Sequence, residues 1–137
     1  MQAAAEAALE LGAAGGEPVA EMVREFQNRR DYVVGRLREL PGLTVVEPQG
    51  AFYVLPDFSA FYGPGVSVEG FGAVPDGETL CRYLLEVAHV ALVPGEAFGV
   101  PQCLRISYAA SPATLATAMD RIEDAVRRQS RPAAAAA

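Results

Sequence analysis

A chain of 137 residues, 51% of them apolar and 20% charged, has the length and composition of one globular domain with its own core. Its net charge of −6 argues against a nucleic-acid footprint and against an anionic membrane surface. No apolar run approaches the roughly 20 residues that cross a bilayer, and the eleven cationic side chains are all arginine, so a Schiff base on a side-chain amine is closed to this chain acting alone.

Residues 2–11, rich in Ala, Glu and Leu, predict a first helix that stops at Gly12. With acids and no early arginine, this start has the look of neither a signal nor a transit peptide. A second, longer helix opens near Pro18, a residue suited to a first turn. Its stripe is Val19, Met22, Val23, Phe26, Val33, Val34, Leu37 and Leu40, recurring at spacings of three, four and seven, and Pro41-Gly42 ends it. "LTVV" (43–46) and "AFYVL" (51–55) read as strands joined by the turn-rich "EPQG". The following 22 residues, "PDFSAFYGPGVSVEGFGAVPDG", read as a long loop, which in a small domain is usually functional or mobile.

Asp76 is placed to cap a helix over 78–88 with Leu80, Tyr83, Leu84 and Val87 turned inward. "VALVP" (90–94) and "CLRISY" (103–108) predict two more strands around "GEAFGVPQ". Ser111 as cap and Pro112 at the first position open a last helix, whose stripe is Leu115, Met119, Ile122 and Val126. The tail "RPAAAAA" is low in complexity and expected to fray. The order predicts an α/β domain, a small sheet with helices packed on it.

Few residues offer chemistry. Cys81 and Cys103 have no metal-ligand spacing and read as buried thiols. His89, the single histidine, sits where a cation meets the last carbonyls of a helix or faces solvent. No nucleophile elbow accompanies it, so a catalytic triad is not supported. The pair Glu123-Asp124 falls on the polar side of a helix. "GPGVSVEGFG" lacks the strand-to-helix setting that phosphate cradling requires.

Arg105 stands apart, between Leu104, Ile106 and Tyr108, which alternate like one buried face of a strand. A guanidinium there has a solvent view, a carboxylate neighbour, or an anionic guest. A rigid strand is a good platform for a fork that meets a carboxylate in bidentate geometry.

Four blocks, "RRDYVV", "PQGAFYVLPDFS", "VALVPGEAFG" and "LRISYAAS", occur in this order and together resemble the C-terminal part of class I pyridoxal-phosphate-dependent aminotransferases. The likeness is strongest to the prokaryotic-type aspartate enzymes, including those of plant plastids that also accept prephenate, and it covers about residues 2 to 127. It implies the small domain of a fold-type I transferase. Residues 1–17 would join a large domain, 18–128 would form the small domain, and 129–137 a tail. The resemblance makes Arg105 the group that binds the substrate α-carboxylate. It also implies a pyridoxal phosphate cofactor and a homodimer in the intact enzyme, acting on an amino acid and a 2-oxo acid in the plastid or cytoplasm. The cofactor lysine, the acid on the pyridine nitrogen and the phosphate-binding groups belong to the family's large domain, and nothing here matches them. The expectation is therefore a partial aminotransferase that binds no cofactor and is inactive alone. The alternative is a stand-alone carboxylate- or partner-binding α/β domain.

Overall fold

The computed structural model describes residues 2–12 and 15–130. These residues form four α-helices, α1 (Gln2–Glu10), α2 (Gly16–Arg38), α3 (Gly77–Glu86) and α4 (Pro112–Arg127), and six short strands; α1 buries none of its residues. The strands are β1 (Tyr53–Val54), β2 (Ser67–Val68), β3 (Gly72–Ala73), β4 (Val93–Pro94), β5 (Leu104–Ser107) and β6 (Gln129–Ser130). They form two antiparallel three-stranded sheets, ordered β1-β5-β4 and β3-β2-β6. An α/β architecture of small sheets with packed helices is therefore what the chain adopts.

The first sheet is longer than its regular pairs indicate. Tyr53 faces Ser107 and Val54 faces Ile106, and the backbone bonds Tyr108 N–H to Phe52 C=O (2.8 Å), Leu104 N–H to Pro56 C=O (3.1 Å) and Phe58 N–H to Gln102 C=O (2.9 Å) extend the pairing. Pro56 has no N–H to give, which interrupts the ladder and shortens β1. Residues 43–46 do not form the strand that their apolar run predicts. Only Thr44 bridges, to Asp57, while Val46 stands in solvent at 80% exposure. Their hydrophobicity serves the edge of the core through Leu43 and Val45 instead.

The 22-residue segment is not an open loop. Phe58, Phe61, Val66, Val68 and Val74 are buried in the core, and β2 and β3 form a small hairpin within it. Val74 N–H bonds Val66 C=O at 2.9 Å, and Gly63 N–H bonds Val74 C=O at 2.8 Å. The chain's end is drawn in as well. Gln129 and Ser130, placed with the tail on sequence grounds, pair with Val68 and Ser67, and Gln129 is buried. Residues 131–137 lie outside the described part.

The helices follow their caps. The Asp76 carboxylate accepts from Thr79 N–H at 2.7 Å, and the Ser111 hydroxyl accepts from Thr114 N–H at 3.2 Å. Leu115, Met119, Ile122 and Val126 are buried, as are Leu80, Tyr83 and Leu84. Val87 is the exception on α3, exposed where the spacing turned it inward. The helix ends at Glu86, and His89 takes the left-handed conformation (φ 56°) while Val90 N–H closes back on Leu84 C=O at 3.0 Å. Val87 N–H still bonds Tyr83 C=O at 3.0 Å as the helix ends, and its side chain stays in solvent. His89 itself is exposed.

α2 and α4 are joined by an ionic cluster as well as by apolar packing. Arg36 donates to Asp120 Oδ1 (2.8 Å), Glu123 Oε2 (3.1 Å) and the Tyr32 hydroxyl (2.9 Å), and Glu123 also pairs with Arg127. The Asp120 hydrogen bond leads the effects that hold the Arg36 guanidinium above its ordinary value. Glu123 is thus a link between helices, where the sequence placed it on a solvated face.

Candidate functional site

The alternation of β5 decides where Arg105 stands. Leu104 and Ile106 are buried in the core, so Arg105 and Ser107 occupy the opposite face of the sheet. On the neighbouring strands Val93 lies directly across from Arg105, and Tyr53 lies across from Ser107. Arg105 is half-buried. Of the three environments open to it, the carboxylate neighbour is absent: among the described residues the Arg105 guanidinium forms no ion pair and no hydrogen bond. Its cationic carbon lies over two aromatic rings instead, 5.4 Å from the centroid of Tyr53 and 4.7 Å from that of Phe98. Both distances fall within the range of a cation–π attraction. The N–H fork is left without an acceptor from the described protein, a state in which an external carboxylate can be received.

Local sequence pattern gives Tyr53 and Phe98 no role, although they lie in the blocks "PQGAFYVLPDFS" and "VALVPGEAFG". The alternation of "AFYVL" could have put Tyr53 on the outer face. The register that sets it diagonally beside Arg105 is a long-range fact, invisible to local pattern. Phe98 arrives from a 3-10 turn, Gly95–Phe98, which no spacing rule connects to Arg105.

The other candidates contribute no chemistry. Cys81 and Cys103 are free and buried; burial pushes the Cys81 thiol up to about 11 and raises that of Cys103. Among the described residues no group of three or more His, Cys, Asp or Glu could hold a metal ion. No described helix is long and apolar enough to cross a membrane.

The family model for aminotransferase class I and II matches residues 1–122, and the chain belongs to that family. It is 56% identical over 125 residues to the bifunctional aspartate aminotransferase and glutamate/aspartate-prephenate aminotransferase of Petunia hybrida, covering 91% of this chain and 26% of that protein. It is 53% identical over 135 residues to an aspartate aminotransferase of Pinus pinaster, covering 98% of the chain and 27% of the relative. The crystal structure of the aspartate aminotransferase from Rhizobium meliloti superposes with a TM-score of 0.80 at 38% identity, over 89% of this chain and 30% of that one. The chain thus spans about a quarter of the length of these curated relatives.

The donor set of this chain does not make a pyridoxal phosphate site. It has no lysine to form the Schiff base, and its one unpaired outer-face cation in the central strand is wrapped by aromatic rings. The coenzyme chemistry implied by the family is therefore not assigned to these residues.

Proposed function

We propose that this chain supplies the substrate α-carboxylate site of an aminotransferase that exchanges an amino group between aspartate or glutamate and a 2-oxo acid. The observation that carries the reading is Arg105, fixed in β5 with its guanidinium free of every described carboxylate. In a chain with seventeen acidic residues, an arginine left unpaired on a half-buried sheet face fits a site built for a guest. Paired N–H donors meeting both carboxylate oxygens would hold the amino acid by one end and fix the direction of its Cα–H bond. Each such charge-assisted bond contributes about 1.5–3 kcal/mol.

Pyridoxal phosphate, its lysine and the dimer contacts would come from the part of such an enzyme that these residues do not match. The chain by itself is then inactive. The names of the Petunia and Pinus relatives support aspartate as a donor; prephenate as an acceptor is supported by the Petunia name and by that of an Aquifex aeolicus relative 45% identical over 108 residues. The test is reconstitution: the chain is joined to the remaining, lysine-bearing portion of the Petunia relative and assayed for transamination of aspartate. Turnover in the joined protein and none in the chain alone supports the reading. A joined protein that folds, binds coenzyme and does not turn over contradicts it.

The absence of lysine favours a second reading for the chain as an isolated molecule, a non-catalytic domain that captures a small carboxylate. Both readings let the isolated chain bind aspartate, and the joined protein separates them: a non-catalytic domain leaves it without transaminase turnover.

A further inference from the structure

The setting of Arg105 carries one step more, and it rests on the carboxylate reading above. We infer that Phe98 and Tyr53 are positioning residues, two rings that fix the guanidinium plane so that its N–H edge is presented to the carboxylate. All five donors of a guanidinium lie in its plane, whereas its faces carry none. A ring packed over the cation therefore restrains the side chain without consuming a donor. An acidic neighbour would restrain it too, yet would occupy the fork that the guest needs.

Both rings stand on fixed backbone. Tyr53 is held by the β1–β5 pairing and packs edge-on against Phe52, with centroids 5.8 Å apart and planes at 87°. Phe98 closes the turn that begins at Gly95, and that turn is tied to the start of β5. Gly95 N–H bonds Cys103 C=O at 2.8 Å, Val100 N–H bonds Gly95 C=O at 3.0 Å, and Cys103 N–H bonds Val100 C=O at 2.9 Å. A Cβ at position 95 would lie 2.1 Å from the Val100 oxygen and 2.3 Å from that of Cys103, so only glycine allows the approach. Phe98 is 43% exposed and has no place in the core. Among described groups it meets Arg105 at 4.7 Å, a use that core packing does not explain. Ordering a long, flexible side chain before the guest arrives lowers the cost of binding.

The 137-residue chain itself serves for the test, with maleate as the carboxylate probe and nuclear magnetic resonance as the readout. In the native chain the Arg105 Hδ protons are expected upfield of ordinary arginine values, shifted by the ring currents, and its Nε–Hε signal should move saturably with maleate. Phe98→Leu should return the Hδ protons toward ordinary values and weaken maleate binding about two- to fivefold, with an unchanged melting midpoint because Phe98 lies outside the core. Phe98→Tyr should restore both the shift and the affinity. Arg105→Gln should abolish binding. Ordinary Hδ values in the native chain, or native affinity in Phe98→Leu while Arg105→Gln does not bind, overturn the positioning role and leave the carboxylate reading intact. Native affinity in Arg105→Gln, or no binding by the native chain, overturns both.

Discussion

The two halves of α2 share one sequence stripe and have opposite fates. Val33, Val34 and Leu37, in the C-terminal half, are at most 1% exposed, sealed against α4 and the first sheet. Val19, Met22 and Val23, in the N-terminal half, are 38%, 50% and 44% exposed. The periodicity is equally good in both, so it reports that a face is meant to be covered without saying by what. Within these residues only the C-terminal half finds its cover. A chain that spans about a quarter of its relatives' length makes such an uncovered half expected.

Substitutions along the stripe measure this difference. Leu37→Ala should cost about 2–5 kcal/mol in urea unfolding, the toll of a buried leucine replaced by a cavity. Met22→Ala should change stability by no more than about 0.5 kcal/mol. Comparable losses at both positions would mean that the N-terminal half is packed after all.

The ionic link between α2 and α4 comes next in size. Arg36→Ala should destabilise by about 1–2 kcal/mol, above an ordinary surface pair because one residue meets two carboxylates and is itself mostly buried. Part of the loss should vanish in high salt, since Asp120 is exposed. Arg24→Ala, in the uncovered half, removes a pair with Glu17 exposed on both sides and should change almost nothing.

Smaller still, and dependent on pH, is the cap of α3. The hydrogen bonds from Thr79 hold the Asp76 carboxyl below its ordinary value, the backbone N–H contributing most. A depressed carboxyl contributes stability that is fully present above the unfolded value of about 4 and is lost as pH falls through the folded one. Asp76→Ala should therefore cost about 1 kcal/mol at neutral pH, with the gap to the native chain closing in acid. A gap that stays constant down to pH 2 would remove the charged cap from the account.

What the sequence made legible follows the range of the interactions. Caps and stripes depend on residues three or four apart, and Asp76, Ser111 and the α4 stripe stand where local spacing put them. Strand neighbours do not. Residues 43–46 have a strand's composition and lack a partner strand, whereas the glycine-rich segment 56–77 has a loop's composition and conceals five core side chains. The same limit holds at the site. The alternation of "LRISY" set Arg105 opposite the core, but Tyr53 and Phe98 reach it from 52 and 7 residues away in sequence through pairing and a turn. Tail residues Gln129 and Ser130 illustrate it once more, since nothing local foretells their pairing with β2.

The account turns on Arg105, and steady-state kinetics of the joined, coenzyme-loaded enzyme test it most directly. Two charge-assisted bonds to the substrate carboxylate, at about 1.5–3 kcal/mol each, predict that Arg105→Ala lowers kcat/KM for aspartate by roughly two to four orders of magnitude. An Arg105→Ala enzyme with kcat/KM within a few-fold of the native value would contradict it.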